Sequence, residues 1–343
     1  MIEIDGSHGE GGGQLVRNAA ALAAVIGKAA RVSNIRAKRP NPGLAAQHVT
    51  ALQALAAVSG ARIDGLQPGS SQIVVTPGTP RGGRHRFDVG TAGSVTLVLQ
   101  ACLPAALRAP EPTELMLIGG TDVKWSPPVD YFRFVFLPLL ARMGGRVELE
   151  VLRRGYYPRG GGQVSVKVTP TAAFQPLVVE PPGNLKRIRG VAHAANLPPE
   201  VAQRMKQAAA RPFVAIAEAK IEAQSLGNAQ AVGPGGAVVL WTEHENTVLG
   251  ADALAEKGVT AEKVGEEAGE EMVSDLRAHA SLDVHASDQV LIYAALALGE
   301  SRFSAREVSS HALTAMWLLD AFLDVQFETV QVGGRVQFRV MPR

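Results

Sequence analysis

The chain has 343 residues, 46% hydrophobic and 19% charged, which excludes a disordered protein and leaves room for more than one core. Its net charge of +2 excludes a histone-like basic field, so any nucleic-acid contact must be a local patch. Its single cysteine, Cys102 in an apolar run, excludes an intrachain disulfide and a Cys/His metal cluster. Glu3, Asp5 and Glu10 argue against a signal peptide, and apolar stretches such as residues 19–26 are too short to span a membrane. A cytoplasmic protein with no membrane partner is expected.

A short apolar strand at residues 1–4 leads into Gly9, Glu10, Gly11, Gly12 and Gly13, and an alanine-rich helix follows to residue 26. A glycine turn feeding a helix N-terminus offers free N–H groups and the positive end of the dipole to an anion. Arg17, one turn into that helix, adds a fixed charge. Glu10 among anion-binding groups makes sense if it holds a metal that rides on phosphates. The pattern fits neither the dinucleotide nor the P-loop motif, and a plain tight turn satisfies it equally.

Gly27 reads as a C-cap and residues 31–35 as a strand. Arg36, Lys38 and Arg39 then lie close together in a loop that Pro40 and Pro42 stiffen. A helix is expected at residues 44–58, with Leu44, His48, Leu52 and Leu55 on one stripe, followed by strands at 63–66 and 73–76. This layout recurs. The stretch from Ala57 (helix end, glycine, arginine, strand, loop, alternating strand, Thr-Pro) is matched from Ala141 and more weakly from Ala321. A body built from repeats of one helix-and-sheet unit follows.

The second unit opens at residues 89–107, a small-residue turn running into a helix that carries Gln100. Residues 119–128, with Asp122 and Lys124, are too polar and proline-rich for a strand. Residues 153–162 form a further glycine loop, with Arg159 and two tyrosines. Arg154, Tyr156, Tyr157 and Arg159 there suit an RNA grip; a solvated hairpin tip is the simpler reading. Composition shifts at residues 181–183, and 184–280 read as an inserted domain. Its expected elements are a strand at 188–192, a helix at 199–210, a long polar connection, a strand at 237–242 and a Thr260-capped helix with a charged, solvated face.

Of the eight histidines, His311 differs by position. It follows two serines at the start of the helix at residues 309–323, where free N–H groups favour a phosphate and disfavour an imidazolium. A neutral imidazole is a competent nucleophile toward phosphorus. Spacing alone leaves it a candidate.

Seven segments taken in order resemble RNA 3′-terminal phosphate cyclases. They are GEGGGQ with Arg17, IRAKRPNPGLAAQH at 35–48, GTAGSVTLVLQ at 90–100, GGTD to PP at 119–128, GYYPRGGG at 155–162, Ala286-Ser287-Asp288-Gln289, and SSHALT at 309–314. The resemblance implies an α/β (α+β) fold. Its large domain, residues 1–183 and 281–343, would hold three repeated βαβαββ-type units of the translation-initiation-factor-3 C-terminal kind. A smaller α/β domain, 184–280, would be inserted before the third.

The implied reaction uses ATP and Mg²⁺ or Mn²⁺ to convert an RNA 3′-phosphate end into a 2′,3′-cyclic phosphate. His311 would accept AMP and Glu10 would bind the metal. Arg17, Arg36, Arg39, Gln47 and Arg159 would hold phosphates or the RNA end. Gln100, His285, Ala286, Ser287, Asp288 and Gln289 would line the nucleotide. Some family members carry a tyrosine at the place of His285 to stack on adenine, so this departure bears on adenine preference. The Lys-x-Asp-Gly motif of lysine-adenylating ligases is absent, since Arg62-Ile63-Asp64-Gly65 offers no nucleophile. Two other readings stand beside this one. A cyclase-like ribosome-assembly scaffold would be expected to lose the histidine, and an enolpyruvyl transferase would need no ATP. The oligomeric state is open, a homodimer among the options.

Overall fold

β1 (Ile2–Asp5), α1 (Gly13–Ile26), β2 (Ala30–Ser33), α2 (Ala46–Ser59), β3 (Arg62–Asp64) and β4 (Ile73–Thr76) follow one another in the computed structural model, which describes residues 1–343. Alanines at 19, 20, 21, 23 and 24 let α1 be buried on all sides, because alanine loses no side-chain entropy in a helix and lets neighbours approach closely. Gly27 and Gly60 end α1 and α2 in the left-handed region at φ 71° and 68°. β1 and β2 pair in parallel, the geometry that needs a crossover helix, and α1 supplies it. With β4 antiparallel to both β2 and β3, the sheet order is β1-β2-β4-β3.

β5 (Gly83–Asp88), α3 (Val95–Ala106), β6 (Thr113–Gly119), α4 (Val129–Tyr131), a π-helical turn (Phe132–Phe136), α5 (Leu137–Arg142), β7 (Arg146–Gly155) and β8 (Gly162–Thr169) repeat the same order, β5-β6-β8-β7. β5 was not expected as a strand. It is an edge strand whose charges, Arg84 and Arg86, face solvent, so no apolar alternation marks it. Arg153, expected in a loop, belongs to β7.

β9 (Leu185–Ala195), α6 (Glu200–Ala210), β10 (Ala219–Leu226), β11 (Ala231–Val232), β12 (Gly235–His244), β13 (Gly250–Leu254) and α7 (Ala261–Arg277) come next. β11 adds to the outer side of β7. The other strands form a sheet of order β10-β9-β12-β13, with its own core of Ile188, Met205, Phe213, Leu240, Val264 and Met272. Part of the expected polar connection is therefore strand β10. It is an edge strand with one buried residue, Ile221, which hides its period.

α8 (Val284–Gln289), α9 (Leu291–Ala295), β14 (Ser301–Ala305), α10 (Ser310–Phe322), β15 (Val325–Val332) and β16 (Arg335–Pro342) close the chain, with sheet order β14-β16-β15. Val178 bridges Arg302 in parallel, so a short segment beside β14 occupies the place that β1 has beside β2. The whole is a mixed α/β fold, and no helix is long and apolar enough to cross a membrane. α1 and α10 pack together, which brings the first turn of the chain to His311.

Candidate active site

The glycine turn is moulded onto α10. Gly9 and Gly11 take φ of 55° and 60°, and a Cβ on Gly9 would lie 2.4 Å from Thr314 Oγ1. The Glu10 N–H donates to Thr314 Oγ1 at 3.5 Å, and His8 stacks on Trp317 with ring centroids 3.7 Å apart. These contacts deliver two oxygens to one ring nitrogen. His311 Nδ1 lies 2.7 Å from Gln14 Oε1 and 2.7 Å from Glu10 Oε2. Gln14 Oε1 accepts the hydrogen bond, while Glu10 Oε2 lies close without making one, so the proton is on Nδ1 and Nε2 keeps its lone pair. Burial lowers the His311 pKa from its ordinary value; Glu10 opposes this, while His285, Arg17 and Arg39 add to it. The imidazole is therefore neutral at neutral pH. Ser309 caps α10 by accepting the Ala312 N–H at 2.9 Å and turns its hydroxyl toward Asp288 Oδ2 at 3.3 Å.

A second corner lies at the start of α1. Its N-cap, Gly12, has no side chain to satisfy the first N–H groups. Arg17 is buried at 5% exposure with no acidic partner, its Nε has no hydrogen bond, and burial lowers its pKa to about 10. His48 Nδ1 accepts the Ala45 N–H at 3.0 Å, which leaves the proton on Nε2. Burial, with Arg17 and Arg36 beside it, lowers the His48 pKa to about 3. A Cβ on Gly13 would sit 2.1 Å from His48 Nε2 and 3.0 Å from Arg17 Nη1, so only glycine leaves this space free. A bare helix start, an uncompensated guanidinium and an imidazole N–H converge there. Each is a donor to an anion.

The other predicted residues divide. Arg39 pairs with Glu10 Oε1, while Arg36, at φ 53°, donates to Gly43 O at 2.7 Å. Gln47 Oε1 accepts the Ser94 N–H at 3.4 Å, and Gln100 Nε2 donates to Gln289 Oε1 at 3.0 Å. Asp288 is buried, which raises its pKa to about 7 even though His285 pulls it down. His285 keeps an edge in solvent; the protein packed around its ring desolvates it and lowers its pKa, but Asp283, Asp252 and Asp288 prevail and raise it. Ala286 and Ser287 are buried within α8, where the Ser287 hydroxyl donates to Val284 O. Arg159 stands exposed at a turn tip, outside the group around His311.

Arg154 and Tyr156, expected to grip RNA, are buried instead. Arg154 bridges Asp122 and Asp130, and the Tyr156 hydroxyl meets His193 Nδ1 at 3.0 Å. His48 was legible only as a member of an apolar helical stripe.

No group of three or more His, Cys, Asp or Glu side chains could hold a metal ion. Glu10 is a single carboxylate, with Oε1 on Arg39 and Oε2 buried without a hydrogen bond. That donor set fits a hydrated Mg²⁺ or Mn²⁺ completed by substrate phosphates, and does not fit an all-protein cage.

Residues 8–329 match the family described as RNA 3′-terminal phosphate cyclase. Among similar proteins, the RNA 3′-terminal phosphate cyclase of Nitrosospira multiformis is 49% identical over 342 residues, covering 100% of this chain and 97% of its own length. Those of Pyrobaculum neutrophilum and Methanopyrus kandleri are 44% and 47% identical, covering 97% and 96% of this chain and 96% and 95% of their own.

Proposed function

This chain belongs to the RNA 3′-terminal phosphate cyclase family, and we propose that it converts an RNA 3′-phosphate into a 2′,3′-cyclic phosphate with ATP, by way of an adenylate on His311. The observation that carries this reading is the hydrogen bond between His311 Nδ1 and Gln14 Oε1, with the Glu10 carboxylate beside it, which leaves Nε2 bare.

Nε2 forms a bond to the α-phosphorus of ATP, the bond to the bridging oxygen breaks, and pyrophosphate leaves with the electron pair. An oxygen of the RNA 3′-phosphate then takes the AMP, and the imidazole recovers its lone pair. The neighbouring 2′-hydroxyl bonds to the activated 3′-phosphorus, gives its proton to solvent, and expels AMP. Activation is required because an unmodified phosphate oxygen is a poor leaving group. The protein's contribution is positioning and charge neutralisation.

Glu10 opposes the positive charge that develops on the ring as Nε2 is substituted. Arg17, His48 and the start of α1 suit the RNA phosphate, with Arg36, Arg39 and Gln47 beside them. Gln100, Asp288 and Gln289 suit the nucleotide, with His285 at its rim. Ala286 and Ser287 then act through the shape of α8. A divalent metal held by Glu10 would neutralise phosphate charge.

We also read the three sheets of common strand order as copies of one βαβαββ unit and residues 184–280 as an inserted domain. The bridge of Val178 to Arg302 supports an insertion inside the third unit, after its first strand, in place of one ahead of it.

The test is incubation with α-labelled ATP and a divalent metal, without RNA, on wild type and His311→Ala. Acid-labile, alkali-stable label is expected on wild type alone. Label on both would move the nucleophile to another residue. Label on neither would remove the nucleotidyl mechanism and favour a scaffold role.

A further inference from the structure

Two exposed aromatic side chains stand at the tips of neighbouring loops. Trp125 is 93% exposed and Tyr157 79% exposed. An indole left in water gains nothing from burial, and Trp125 also sits at φ 61°, where a residue with a side chain is strained. The surrounding structure holds it there. The loop is tied at its base by the Val129 N–H to Thr121 O at 2.9 Å. It is braced inside by Ser126 Oγ to Val123 O at 2.9 Å and by Thr96 Oγ1 to Pro127 O at 2.8 Å. Lys124 Nζ anchors its outer side on Glu256 at 2.6 Å. Tyr157, Pro158 and Arg159 form the tip of a second turn, closed by the Gly160 N–H to Tyr156 O at 2.8 Å.

The two loops are stitched together. The Thr121 N–H donates to Gly155 O at 2.8 Å, Asp122 bridges Tyr156, and Asp122 and Arg154 pair beneath them. The same turn leads back to the phosphate corner. A Cβ on Gly160 would be 2.4 Å from Thr91 O, one on Gly93 would be 2.8 Å from Gln47 Cβ, and Gln47 adjoins His48.

We propose that Trp125, Tyr157 and Arg159 form a stacking platform for single-stranded RNA on the 5′ side of the reacting end, a role that rests on the function proposed above. Aromatic faces stack on any base, and an exposed guanidinium suits the backbone phosphates between stacked bases. Rigid loops lower the entropy lost when a base docks. The platform therefore recognises a strand of any sequence and extends the contact beyond the terminal phosphate.

The test compares a 3′-phosphorylated dinucleotide with a 3′-phosphorylated RNA of about ten nucleotides, long enough to cover a platform of this kind. Trp125→Ala and Tyr157→Ala should each raise the KM of the longer RNA about tenfold, the loss of one stacked base. The dinucleotide KM, kcat and self-adenylylation should stay at wild-type values. Trp125→Phe should restore most of the loss. The longer RNA, and not the dinucleotide, should quench the emission that Trp125→Ala removes. Arg159→Ala should flatten the salt dependence of longer-RNA binding by about one unit of log–log slope.

Unchanged KM for the longer RNA in both alanine variants would overturn the platform. So would equal loss with the dinucleotide, or a loss of ATP labelling, which would assign Trp125 to the nucleotide. A shift in sedimentation with RNA kinetics untouched would assign the aromatics to contact between copies of the chain. If wild type cyclises both RNAs with one KM, the platform alone falls; if it cyclises neither, the function proposed above falls with it.

Discussion

Two buried arginines face opposite circumstances. Arg154, 8% exposed, lies between Asp122 and Asp130. Burial opposes its charge, yet the two carboxylates raise its pKa above its ordinary value, and Arg154 holds Asp122 well below the usual carboxylate range. Arg17, 5% exposed, has no carboxylate, and burial lowers its pKa. The first arrangement is complete within the folded chain. The second has desolvated a charge without compensation, a cost that an arriving phosphate removes. A buried cation with its counterions is a structural joint, and one without them is open to an anionic partner.

Removing Arg154 tests this contrast most severely. Arg154→Met leaves two buried carboxylates unpaired and should cost about 3–5 kcal/mol in denaturant unfolding. Arg17→Met should do the reverse, with folding stability unchanged or improved. Its KM for 3′-phosphorylated RNA should rise by a factor of roughly 10–150, the worth of about 1.5–3 kcal/mol for a hydrogen bond to a charged group. Inorganic phosphate should raise the Tm of wild type and leave that of Arg17→Met unmoved. Equal destabilisation by both substitutions would erase the distinction.

His48 sharpens it through pH. Its pKa falls from the ordinary 6.5 to about 3 on folding. Between those values the unfolded chain binds a proton that the folded chain refuses, so this group's contribution to stability falls as pH drops from 6.5 toward 3. His48→Gln should lose less stability over that window, and bound phosphate should flatten it in wild type, because an anion favours the imidazolium. Chemical-denaturation curves at several pH values read both.

The smallest effect is expected at His8. Its stack on Trp317 is worth about 0.5–1.5 kcal/mol beyond area burial. His8→Ala should lose that much stability and slow self-adenylylation several-fold, through a looser Glu10. His8→Phe should recover both.

The chain's motifs made much of the site legible. Glu10, Gln14 and Arg17 share one glycine turn and helix start, and the serines before His311 announced a capped helix. What stayed hidden was the meeting of segments about 300 residues apart, in which Gln14 assigns the His311 proton and the Glu10 carboxylate lies beside it. His48 looked like a core residue because it does occupy a buried helical face. The edge strands β5 and β10 were missed because a strand with one neighbour and a wet face carries charge where period two would place apolar residues. Arg154 and Tyr156 were misjudged for a related reason. A Tyr-Arg-Gly composition describes an RNA grip and a buried network equally, and only the packing of β9 against the loop separates them.

The sequence by itself determined the family and the mixed α/β class and named the residue types of the candidate site, because seven motifs taken in order resemble one family. Only the tertiary structure decided which arginine is compensated, which histidine nitrogen keeps its lone pair, and which aromatic rings remain in water. Those are properties of a residue's surroundings, and the surroundings come from segments far apart along the chain.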